Sequence, residues 1–374
     1  MIPIFKPYIG SDTLKAATDA LNLGWLGMGS YVKQFEQELS AFIGTGHIRK
    51  LVAVNTCTSA LHLALLTAGV KPGDEVITPA LNNIGDFQAI GMAGACPVFC
   101  DIREDNLGVD PENIGPLITS KTKAIIVLHY SGIPCNIEKI FQIATKYKIR
   151  VIEDAAHAIG TRVNGEMIGS YGDLTCFSFD AIKTLTCIDG GVVVVNNQNE
   201  ADRLYPARLL GMTQKNAQLY TNSRAYKYDV YGQGFRYHLA NLHASIGLSQ
   251  LEKLPEFIVN RQKYCLYYNE LLGSFPGIIV PQSDYKDISP FNYVIRVLDG
   301  RRKDLVDYLK RHDIETGIHW IPGNRFTWLK NCRGVDSLPV TDRIGEEILT
   351  LPLWSYMESS MVERIADTIC KFFK

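Results

Sequence analysis

The chain has 374 residues, 46% apolar and 21% charged, and a formal net charge of −1. That length accommodates one large and one smaller unit. The balanced charge excludes a global field drawing the chain to nucleic acid or membrane. No apolar run is long enough to span a bilayer, and "MIPIFKPYIG" lacks a basic stretch followed by an apolar one, so a cytoplasmic protein is expected. The nine cysteines are scattered, without metal-ligand spacing, and read as reduced, buried thiols.

Short β-branched runs then alternate with helical patterns. Strands are predicted at Glu75–Pro79, Pro97–Asp101, Ala124–Tyr130, Arg150–Asp154, Leu174–Phe179 and Gly191–Val195, with helices at Ser59–Ala68, Phe87–Gly94 and Ile137–Lys148. The strands are continuously apolar, as in a sheet covered on both faces. The predicted fold is α/β, a mostly parallel sheet flanked by helices. A Gly/Tyr-rich loop from Tyr226 leads into an amphipathic helix ending near Leu254. The large domain is placed at 1–250 and a smaller α+β domain at 251–374. The latter is read as a long helix from about Pro255, a strand in "FNYVIRV", a helix in "RRKDLVDYLKRH" and a final helix.

Four stretches carry chemistry. In "VNTCTSALHLALLTAGV" (Val54–Val70), Thr58 and Ser59 stand where a strand gives way to a helix. They read either as plain N-caps or as part of a phosphate cradle at the helix N-terminus. In "VIEDAAHAIG", Asp154 ends a buried strand and His157 follows three residues later. A carboxylate there needs a positive partner, such as a protonated pyridine nitrogen, or else it caps the next helix. In "FSFDAIKTLTCIDGG", Lys183 lies five residues after Ser178 and shortly before a Gly-Gly pair. Such a lysine is either solvated or tolerated because it is used covalently. In "FRYHLANLHASIGLSQL", His238, Asn241 and His243 punctuate a helix start, as caps and core histidines or as site residues. Taken in order, the stretches form the layout a pyridoxal 5′-phosphate site needs. Lys183 is then the Schiff-base lysine, Asp154 the partner of the pyridinium proton, and Ser178 with Thr58 and Ser59 the phosphate anchor.

Here the sequence resembles the DegT-type sugar aminotransferases, pyridoxal phosphate enzymes of the aspartate aminotransferase fold. The resemblance rests on "GWLGMGSYVKQFEQELSAFIG", "NTCTSALHLAL", "GVKPGDEVITPAL", "GACPVFCDI", "VIEDAAHAIGT", "GSYGDLTCFSFDAIK", "DGGVVVVNN" and "FRYHLANLHASIGLSQL", across nearly the whole chain. It implies a homodimer with shared active sites, a nucleotide-linked keto-sugar as amino acceptor for surface polysaccharide, and L-glutamate as donor. It implies that His157 lies near the cofactor's 3-hydroxyl. It places the segment of His238 and Asn241 at the phosphate of the partner subunit's cofactor, and His319 near the substrate. Three positions depart from the family pattern. Asn83 stands where an aromatic often stacks on the pyridine ring, Asp180 where histidine is frequent, and Asp189 in place of a glutamate before Gly-Gly.

The expected reaction is a ping-pong transamination in which Lys183 also carries the proton. Amination of a cyclitol or another non-nucleotide ketone, and a catalytically silent homologue, are the alternatives. Lys183 argues against the related dehydratases, which carry histidine there. "GWLGMGS" lacks the GxGxxG pattern of a nicotinamide enzyme.

Overall fold

The computed structural model describes residues 1–213, 220–223 and 227–374. Tyr226, where the Gly/Tyr-rich loop was expected to begin, lies outside the described residues. The strands of the first half are β1 Lys50–Val54, β2 Glu75–Pro79, β3 Cys96–Cys100, β4 Thr122–Leu128, β5 Arg150–Asp154, β6 Arg162–Val163, β7 Glu166–Met167, β8 Leu174–Ser178 and β9 Gly191–Val195. Seven of them form one sheet in the order β1-β9-β8-β5-β4-β2-β3, while β6 and β7 make a separate hairpin. From β8 through β5, β4 and β2 to β3 every pairing is parallel. β9 runs antiparallel to both β8 and β1. That reversal needs no helical crossover, so the 179–190 loop turns straight back into the sheet.

The continuous apolar runs are explained by burial on both faces. Val52, Val54, Val193 and Val195 pack with helix Cys57–Thr67 on one side. Their neighbours Leu51, Ala53, Val192 and Val194 pack with helix Ser30–Ile43 on the other. Each side chain points opposite to the next, so a strand covered twice must be apolar throughout.

The helix expected from Pro255 begins at Asn241 and runs unbroken to Leu272. It passes through residue 250. Leu248, Leu251 and Leu254 belong to the core beneath the large sheet, whereas Tyr264, Cys265, Tyr268 and Leu272 belong to a second core. Packing on either side of Pro255 outweighs the one backbone hydrogen bond that proline removes. The second core is built on a three-stranded antiparallel sheet of Ile278–Ile279, Tyr293–Val297 and Ile348–Leu351. Helices Arg302–Arg311 and Ser359–Phe373 cover it. Among the described residues, no helix is long and apolar enough to cross a membrane. Burial of the thiols is incomplete: Cys96, the first residue of β3, is exposed.

Candidate active site

Loops leaving the carboxyl ends of β1, β2, β5 and β8 line one cavity of about 390 Å³. This is the edge at which open α/β sheets place their ligands.

After β1, the residue that caps helix Cys57–Thr67 is Thr56, whose Oγ1 accepts from the Ser59 amide at 3.0 Å. Thr58 and Ser59 therefore lie inside the first turn rather than before it. Thr56, Cys57 and Thr58 open this helix N-terminus onto the cavity. Ser59 does not join them. It is buried, and its hydroxyl bonds Asn55 Oδ1 at 2.8 Å and Thr56 Oγ1 at 2.9 Å. Its hydroxyl is thus engaged within the turn rather than on the cavity wall.

Gly191 explains the Gly-Gly pair. A β-carbon there would lie 2.5 Å from the Thr56 carbonyl oxygen and 2.7 Å from the Cys57 amide. The backbone of β9 can only approach the helix N-terminus this closely without a side chain. Gly191→Ala is expected to push the two apart. It should cost about 1–3 kcal/mol of stability and weaken anion binding at that helix end, read by thermal denaturation and by pyridoxal phosphate titration.

After β2, Asn83 caps helix Ile84–Met92, with Oδ1 accepting from the Gly85 amide at 2.7 Å. It also lines the cavity, as does Asp86 in the helix's first turn. Asp86 is 1% exposed.

After β5, Asp154 is 2% exposed and Oδ1 accepts from the Ala156 amide at 2.9 Å. Burial raises its pKa, opposed by that amide and by the Lys183 ammonium. His157 is equally buried, and Nδ1 accepts from the Ser131 amide at 3.3 Å. Its proton therefore sits on Nε2, which has no hydrogen-bond partner among the described residues. Burial, reinforced by the Lys183 charge, holds His157 neutral.

After β8, Ser178, Asp180 and Lys183 all face the cavity. The Asp180 carboxylate closes the turn by accepting from the Ile182 amide at 3.2 Å. Burial lowers the Lys183 pKa against the pull of Asp154, Cys57, Asp180 and Asp86.

The far wall comes from the second half of the chain. Phe291 lies 4.2 Å from Lys183 Nζ, measured to the ring centroid. His157 stacks on Phe291 at 4.2 Å and on Trp320 at 5.0 Å between ring centroids. His319 Nδ1 pairs with Thr350 Oγ1 at 2.8 Å, and burial with the Lys183 charge brings its pKa down to about 4.

Of the residues singled out in the sequence, Thr58, Asn83, Asp154, His157, Ser178, Lys183 and His319 meet here. His238 and Asn241 do not. His238 bridges by its backbone to Val54. The Asn241 side chain is fully buried and committed within its own chain. It accepts from the Tyr31 amide at 3.2 Å and donates to the Trp25 carbonyl at 3.0 Å. Asp86, Phe291 and Trp320 escaped the sequence reading. The only local signal for Asp86 was a carboxylate within the otherwise uncharged "LNNIGDFQAI".

The family model described as DegT/DnrJ/EryC1/StrS aminotransferase family matches residues 7–370. The chain belongs to this family. It is 33% identical to the spore coat polysaccharide biosynthesis protein SpsC of Bacillus subtilis (strain 168), over 98% of this chain and 96% of that one. Among solved structures it is similar to the aminotransferase TlmJ from Streptoalloteichus hindustanus, with 31% identity and a TM-score of 0.92 over 100% of this chain and 99% of that one. It is also similar to Spr1654 from Streptococcus pneumoniae in its PMP form, with 28% identity and a TM-score of 0.91 over 99% and 98% of the two chains. This DegT-family chain is a pyridoxal phosphate-dependent aminotransferase.

Proposed function

We propose that this enzyme moves the amino group of L-glutamate to a nucleotide-linked keto-sugar used for surface polysaccharide, and that Lys183 carries the cofactor covalently. The observation that carries the site assignment is the shared cavity of Lys183 and Asp154, both buried beside the N-terminus of helix Cys57–Thr67.

The donor set fits pyridoxal phosphate. Lys183 Nζ supplies the amine for the aldehyde carbon. Asp154 would hold the proton of the ring nitrogen, and the Nε2–H of His157, without a partner among the described residues, would be a buried donor for the ring hydroxyl. Thr58, Ser178 and the N-terminus of helix Cys57–Thr67 receive the phosphate. When bound, the cofactor draws electrons from the amino-acid α-carbon into its ring and holds the amino group between the two half-reactions. Lys183, released by the donor, moves the proton at that α-carbon.

The name of SpsC supports a sugar destination, since it is described as acting in polysaccharide biosynthesis. Ile182 on the cavity wall and Ile188 beside Asp189 are exposed apolar side chains of the kind a second subunit covers, which supports a homodimer. Absorbance of the loaded protein tests the donor: L-glutamate should convert it to the pyridoxamine form, and an unmoved band sinks glutamate. The converted enzyme should then be reoxidised by a member of a panel of nucleotide-linked 3- and 4-keto sugars. Reoxidation by keto-cyclitols alone would overturn the sugar assignment.

A further inference from the structure

Asp101 has no role in the chemistry above, yet it is 4% exposed and follows β3 at the edge of the large sheet. Its carboxylate serves a helix distant in sequence. Helix Pro339–Glu347 starts on a proline and has no side-chain cap of its own at Leu338. Asp101 supplies the cap. Oδ2 accepts from the Val340 amide at 3.0 Å, and Oδ1 accepts from the Thr341 amide at 2.8 Å and the Thr341 hydroxyl at 2.6 Å. Donors left free in the helix's first turn thus meet a carboxylate, the charge a helix N-terminus favours. The Ile102 amide, donating to Oδ1 at 3.0 Å, fixes the carboxylate in its own turn.

The helix runs directly into strand Ile348–Leu351 of the second sheet. There the buried Thr350 grips the segment of His319. Its Oγ1 pairs with His319 Nδ1 at 2.8 Å, and its backbone pairs with that of Gly317. His319 lines the cavity with Lys183. The far end of the helix is tied to the same loop as its start. Arg296 donates from Nε to Glu347 at 2.7 Å and from Nη1 to Glu104 at 2.6 Å. The Tyr130 hydroxyl bonds the His319 carbonyl, which fixes the backbone there but not the imidazole.

We propose that Asp101 is a positioning residue: by capping helix Pro339–Glu347 from the large sheet, it sets where Thr350 stands and so holds the His319 imidazole on the cavity wall, beside the substrate. The last step rests on the reading of His319 as a substrate neighbour. The clamp itself rests on the bonds from Asp101 to Thr341 and from Thr350 to His319.

The imidazole reports the clamp without any substrate. On the cavity wall, burial and the Lys183 charge bring its pKa down to about 4. An imidazole released to water returns toward the ordinary 6.5. Histidine ring signals of the isotope-labelled, cofactor-free chain, with His319→Gln to assign the resonance, should show His319 neutral at about pH 5.5 in wild type and partly protonated in Asp101→Ala. Asp101→Asn keeps an oxygen for Thr341 and should stay close to wild type. Thr341→Val removes only the hydroxyl bond and should shift His319 in the same direction by less. An unmoved His319 in Asp101→Ala would overturn the proposal, and so would an unmoved His319 in Thr341→Val should Asp101→Ala fail to fold. In the loaded enzyme, Asp101→Ala should raise the L-glutamate concentration for half-maximal conversion about three- to tenfold, the worth of one hydrogen bond. Pyridoxal phosphate loading should stay within about threefold of wild type. Loading lost in step with conversion would overturn the proposal, because the cap would then serve the whole fold. A His319 that shifts with no change in glutamate conversion leaves the clamp standing and brings down the substrate reading of His319. A wild type that glutamate does not convert brings down the donor assignment and leaves the His319 signal as the test.

Discussion

Lys183→Met protein is expected to fold, to lose the absorbance band of covalently held cofactor, and to lose transamination by at least about 10²–10⁴-fold, the contribution of a positioned proton carrier alone. The reason lies in where the amine stands. Burial disfavours its charged form, and Phe291 closes over it. Methionine keeps the stem's bulk but offers neither a nucleophile nor a base. The same lowered pKa makes a stability statement. Between the folded-state value and lysine's ordinary 10.5 the unfolded chain binds more protons than the folded one. Stability of the cofactor-free wild type should therefore rise with pH across that window. Lys183→Met should lack this component, so the gap between the two proteins narrows as pH approaches 10.5. Denaturant titrations at several pH values measure the gap, and stopped-flow absorbance with glutamate measures turnover. Turnover within tenfold of wild type would remove Lys183 from the mechanism.

Asp154→Asn is expected to retain the cofactor while slowing the glutamate half-reaction by about 10²–10³-fold, the usual cost of removing one preorganised electrostatic partner. Asparagine keeps the size of the side chain and an oxygen for the Ala156 amide. What it loses is the charge that holds a proton on the ring nitrogen, and with it the pull that draws electrons away from the α-carbon. Single-turnover absorbance separates this loss from weakened binding, because loading is measured on the same sample. A half-reaction at near wild-type speed would assign the ring nitrogen to another group.

Most of the frame could be read directly. β2, β5 and β9 have the ends expected from their β-branched runs, because a strand buried on both faces is written as an uninterrupted apolar block. Helix boundaries were less legible. "NTCTS" offers several side chains able to cap, and the one chosen, Thr56, depends on how β1 delivers the chain into the turn. The helix start expected near Pro255 moved to Asn241 for a related reason. A proline lowers local helix preference, but two separate cores grip the helix on either side of it.

By itself, the sequence determined the sheet, the cofactor class and the order of Thr58, Asp154, Ser178 and Lys183 along it, since each follows from its neighbours in the chain and from the end of a strand. Only the tertiary structure decided what those groups face. It turned the Ser59 hydroxyl inward to Asn55, spent the Asn241 amide on Trp25 and Tyr31, and brought Phe291 and Trp320 from the second half of the chain over His157. It also buried Asp86 in the cavity that Asp154 lines. Helix periodicity can place a carboxylate on a face. Whether that face meets water or a buried cavity is set by packing between elements distant in sequence.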